Sequence, residues 1–95
     1  MMQQTIKLIF KKDLTKLAGN AFGKNTYETQ VKGVIDFNTS IVFEIPAQID
    51  RIASSFVQGF FDAIVKEIGV QGVEQQISYI SSITDLKEFI LDNLE

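Results

Sequence analysis

Residues 41–69, IVFEIPAQIDRIASSFVQGFFDAIVKEIG, decide the fold class of this chain. Ile41, Val42, Phe43 and Ile45 make four of five successive positions apolar. Such a run reads as a strand buried on both faces, as in a sheet covered by helices. Pro46, the only proline, opens a loop. Beyond the serines Ser54 and Ser55, apolar residues recur as adjacent pairs: Phe56 with Val57, Phe60 with Phe61, Ile64 with Val65, then Ile68. That spacing predicts a helix with a wide apolar stripe, suited to lying flat on a sheet. Asp62, Lys66 and Glu67 mark its wet face, and Gly69 is placed to stop it.

Outward from this core, Thr5-Ile6-Lys7-Leu8-Ile9-Phe10 reads as a strand. Residues 13–17 are expected as one helical turn and residues 19–23 as loop. A helix capped by Asn25 or Thr26 is expected to reach Ile35, with Tyr27, Val31, Val34 and Ile35 on one face. Gln76-Ile77-Ser78-Tyr79-Ile80 reads as a further strand. Thr84 or Asp85 is expected to cap a last helix, with Asp85 and Glu88 spaced as in a capping box. Leu86, Phe89, Ile90 and Leu94 form its apolar face. The order is βαβαβα, so the expected fold class is α/β: a small layer of three or four strands, mostly parallel, with right-handed crossovers. Residues 1–95 are expected as a single domain.

Composition excludes several chemistries. The chain has no Cys and no His, so thiol catalysis, disulfides and the commonest general base and metal ligand are absent. No cofactor is expected. No apolar run approaches the roughly 20 residues of a membrane helix, and the first residues lack the apolar core of a signal peptide, so a cytoplasmic location is expected. The net charge of −3 argues against direct nucleic-acid binding. Charge is uneven along the chain. Residues 1–32 hold six lysines against Asp13 and Glu28, whereas residues 33–95 hold three basic and ten acidic residues. This is either ordinary solvated surface or a basic face that meets an acidic partner.

Glu44, Asp50 and Asp62 are the carboxylates available for acid–base work, but nothing in their spacing forces them together. Residues 69–72 carry two glycines without the helix that a phosphate loop must open. The serine pair has two compatible readings. One serine caps the helix by accepting a backbone N–H, worth about 1 kcal/mol. The other is a phosphorylation switch at a helix N-terminus, where the dipole and free N–H groups favour a phosphate.

At this corner the chain resembles the STAS superfamily of bacterial anti-sigma factor antagonists, and more closely the small STAS-like domains of unknown function. The matching residues are the strand Ile41-Val42-Phe43-Glu44-Ile45, the loop that follows, and Ser54-Ser55-Phe56 with Phe60. Phosphorylatable members carry Asp-Ser-Ser-Gly there, which implies Ser55, beside Ser54, as the modified residue. Ala53 and Phe56 stand where that motif has Asp and Gly, and Glu44 replaces the usual Asp. The resemblance implies a non-catalytic regulatory module that binds another protein, such as a kinase-like ATPase, through the corner and its helix. Arg51, Phe56, Gln58 and Asp62 are the candidate contacts. A second reading is a small phage or mobile-element protein that inhibits a host defence complex by binding it. A third is a small hydrolase built on carboxylates and serine. The chain is expected as a monomer or a homodimer; a dimer through the helix requires Phe60 or Phe61 to be exposed.

Overall fold

The computed structural model describes residues 2–95. In chain order the elements are β1 (Gln3–Lys7), β2 (Lys16–Leu17), α1 (Asn20–Thr26) running into a π-helical turn (Tyr27–Val31), β3 (Ser40–Glu44), β4 (Arg51–Ile52), α2 (Ser54–Gln76), β5 (Ile77–Ile80) and α3 (Leu86–Asp92). The fold is α/β. The main sheet has the order β1-β3-β5, and β2 and β4 form a separate two-stranded ladder. Every pairing is parallel.

Strands added in one direction by right-handed crossovers leave all their helices on one face. The core has that form. Ile6, Leu8, Ile41, Phe43, Ile45 and Ile77 share one buried cluster with Tyr27, Val31, the phenylalanines of α2, Leu86 and Ile90. The alternate strand positions, Thr5, Lys7, Ser78 and Ile80, are exposed. The expected burial of β3 between two helical layers is therefore corrected: helices cover one face only. Val42 is nevertheless buried on the open face, because the register seats it between Thr5 and Ser78.

Phe43 is the hub of the aromatic core. Its ring lies 5.2 Å from Phe60, 6.2 Å from Phe61 and 6.4 Å from Tyr79. Phe60 and Phe61 are 2% and 3% exposed, so the condition for a dimer contact through them is not met. The ring series continues from Phe60 through Phe56 and Phe22 to Phe10.

The region before β3 departs most from expectation. Residues 16 and 17 form β2 rather than the end of a helical turn. Residues 20–23 are already helix, with Gly19 at φ 103° as the capping position in place of Asn25 or Thr26. Thr26 instead sits inside the helix, its hydroxyl donating to Phe22 O. Two glycines mark where this helix packs on α2. Gly23 and Gly59 let α1 and α2 approach until a Cβ on Gly23 would collide with Phe56 O, and one on Gly59 with Asn20 O. Val34 lies beyond the helix, in a turn, and is exposed. Gly69, at φ 73°, ends the first stretch of α2, but the chain re-enters helix at once and reaches Gln76. Asp85 is the N-terminal flank of α3, yet its φ of 58° is left-handed and no side chain caps the helix. The expected capping box is absent. Phe89, assigned to the apolar face of α3, is 37% exposed.

Candidate functional site

The serine corner is built from two loops and two helix starts. Leaving β3, the chain turns at Pro46 and buries Ile49 completely. Ser82 Oγ donates towards Ala47 O and Ile49 O, and Gln48 Nε2 donates to Lys11 O and Leu14 O. These bonds hold the loop beside residues 11–15. Asp50 N then donates to Thr15 O, and Arg51 and Ile52 pair with Lys16 and Leu17. Ala53 N donates to Leu17 O.

Ala53, in extended conformation, is the capping residue of α2; its carbonyl accepts from Phe56 N and Val57 N, and no side chain caps the helix. The expected serine cap is corrected. Ser54 is the first helical residue, exposed, with no hydrogen bond to its hydroxyl among the described residues. Ser55 points inward, and its Oγ accepts the backbone N–H of Gly19 at 2.9 Å. Gly19 O in turn accepts Gly23 N at the start of α1. Ser55 thus joins the heads of the two helices.

Among the candidate contacts, Gln58 and Asp62 follow Ser54 at i+4 and i+8 on the exposed row of α2. Asp62 is engaged by Lys66 at 3.2 Å. Arg51 is exposed beside the helix start. Phe56 is corrected: at 4% exposure it packs inward on Phe22 and Phe60 and offers no surface.

The uneven charge of the chain has a structural counterpart here. The register places Lys16 directly beside Arg51, and like charges so paired cost stability. Neither forms an ion pair among the described residues, nor do Lys11 and Lys12 in the adjoining loop. By contrast, Lys7 meets Glu44 at 3.8 Å and Lys32 meets Glu28 at 3.3 Å. Asp13 and Asp50 lie beside these four cations in sequence, so the segments that build the corner carry an excess of positive charge. An open groove of about 520 Å³ adjoins it, and its lining includes Lys16, Asp50, Arg51, Ile83, Asp85 and Phe89.

The carboxylates do not converge. Glu44 faces the open side of the sheet, Asp62 the outer side of α2, and Asp50 an exposed loop. No group of three or more carboxylates able to hold a metal ion occurs among the described residues. Two phenols are perturbed: burial pushes Tyr79 well above its ordinary value, and burial followed by the Glu28 charge raises Tyr27.

Four glutamines carry positions that sequence reasoning missed. Gln30 clasps Ile9, accepting its N–H and donating to its carbonyl, both at 2.8 Å. Gln4 accepts Asp36 N and donates to Val34 O. Gln48 holds the loop described above, and Gln76 donates to Phe37 O and Thr39 O. Each fastens a connecting segment by its backbone, and no pattern in the sequence marks them. No helix among the described residues is long and apolar enough to cross a membrane. Scans against protein-family models, curated proteins and solved structures each found no match.

Proposed function

We propose that the chain is a non-catalytic regulatory module of the cytoplasm that binds another protein through the serine corner, as its resemblance to STAS-like domains implies. The observation that carries this reading is the adjacency of Lys16 and Arg51. Two unneutralised cations side by side are destabilising in the free protein, and an acidic partner surface relieves them. A kinase-like ATPase presenting acidic residues fits this chemistry.

The two serines differ as points of control. Ser54 has a reachable hydroxyl at the head of a long helix. A phosphate there carries a charge of about −1.5 to −2 and engages the neighbouring cations in place of the partner. A phosphate on Ser55 also displaces the Gly19 bond, so it acts on the α1–α2 contact as well as on charge.

Affinity purification from the native host with mass spectrometry reports partner and phosphosite together. The expected result is a protein partner retained by the wild type and released by Ser54→Asp or Ser55→Asp. Equal partner affinities of Ser55→Asp and Ser55→Ala, with Ser54→Asp unchanged, reject the switch. Recovery of no protein rejects the binding role.

A further inference from the structure

We propose that the outer edge of β5, with α3 alongside it, docks an extended, lysine- or arginine-rich segment of another protein as a fourth strand of the sheet. Ile45 N donates to Ile80 O, and this fixes the phase of the β3–β5 ladder. The even-numbered residues of β5 then face β3, and Ile77 and Tyr79 turn their backbone groups outward. The Ile77 N–H is taken by Val73 O. The carbonyls of Ile77 and Tyr79 and the N–H of Tyr79 have no partner among the described residues. Free backbone groups in a row are the template for strand addition.

The opposite edge is covered only past the end of β1. On β1 the odd-numbered residues face outward, but the amide of Gln30 occupies the N–H and carbonyl of Ile9, where a neighbouring strand would bind. Lys7 adds an edge lysine, a common device against strand addition. On β5 the Ile77 N–H is occupied, whereas the backbone groups of Tyr79 are open. The β5 edge opens into a groove of about 370 Å³ whose lining includes Tyr79, Ser81, Asp85, Leu86, Lys87 and Glu88, and the neighbouring Ile80 is 54% exposed.

Charge selects the occupant. The groove is lined by Asp85 and Glu88 against Lys87, and neither acid forms an ion pair among the described residues. A basic segment is drawn to this edge. A second copy related by a two-fold axis would set the same acids against each other. This inference shares Ile83 and Asp85 with the groove beside the serine corner, but it rests on the backbone edge of β5 and the other on Lys16 and Arg51, so each can fail without the other.

The test is a titration with two short capped peptides, one alternating lysine and valine and one alternating glutamate and valine, followed by amide NMR. The lysine peptide is expected to shift the Tyr79 and Ser81 resonances and slow Tyr79 amide exchange, and the glutamate peptide to do neither. Removing two exposed charges with Asp85→Asn/Glu88→Gln is expected to weaken the lysine peptide by about fivefold. Equal binding of both peptides, shifts centred on Thr5 and Lys7, no binding, or a dimer that protects Tyr79 without peptide would each overturn the proposal. If the double variant fails to fold, the two peptides on the wild type still decide it.

Discussion

The hydroxyl of Ser55 accepts the backbone N–H of Gly19 at 2.9 Å, tying the first turn of α2 to the first turn of α1 across 36 positions of sequence. This bond replaces the local cap that a serine at a helix start ordinarily makes. Ser55→Ala leaves the Gly19 N–H without its acceptor and is expected to cost about 1 kcal/mol in denaturant unfolding. Ser54→Ala removes no hydrogen bond and is expected to stay within about 0.5 kcal/mol of wild type. Equal losses would show that the Gly19 bond adds nothing to stability.

Gly23 and Gly59 set the distance between the two helices. A Cβ at Gly59 meets the backbone of Asn20, which cannot swing aside as a side chain can. Gly59→Ala is therefore expected to destabilise by at least about 2 kcal/mol. Gly33→Ala meets nothing within 4 Å and is expected to be neutral or to stabilise by up to about 1 kcal/mol. Melting temperatures of the two variants, measured side by side, check the contrast.

Much of this architecture is legible in sequence, and the misses have physical reasons. The apolar run of β3 and the paired phenylalanines of α2 announce themselves because each element satisfies its own periodicity. Strands β2 and β4 are two residues long, and their pairing is imposed by the loops around them. The start of α1 is hidden because Gly19 and Gly23 read as turn residues, whereas Gly23 serves close helix packing. Ser55 is legible as a helix-start serine, but its partner lies too far along the chain for any local motif. The basic corner follows from a register that no charge count shows.

Gln30 substitutes for a strand at Ile9 by bonding both its backbone groups. Gln30→Ala is expected to speed hydrogen exchange at the Ile9 amide by roughly tenfold, equivalent to about 1.4 kcal/mol of local protection. Exchange at Ile6, inside the β1–β3 ladder, is expected to change little. Unchanged exchange at Ile9 would show that the amide clasp does not protect it.

The buried Tyr79 phenol titrates above its ordinary pKa of 10.0. Because the folded state holds this proton more tightly than the unfolded chain, the associated stability is fully present below about pH 10 and is lost as pH rises towards the folded pKa. Tyr27, raised by burial and by the Glu28 charge, adds in the same direction. Urea midpoints are expected to fall from pH 9 to pH 11, and Tyr79→Phe is expected to flatten that fall. An identical alkaline slope in the variant would count against burial of this phenol as its cause.

The binding role of the serine corner is tested most directly by comparing proteins retained from native-host lysate by the wild type and by Lys16→Glu/Arg51→Glu. Both residues are exposed, so the double variant is expected to keep its fold, checked by its circular dichroism and melting curve. The account predicts an acidic-surfaced protein captured by the wild type and lost from the folded double variant. Capture of the same protein by both, in equal amount, would contradict it.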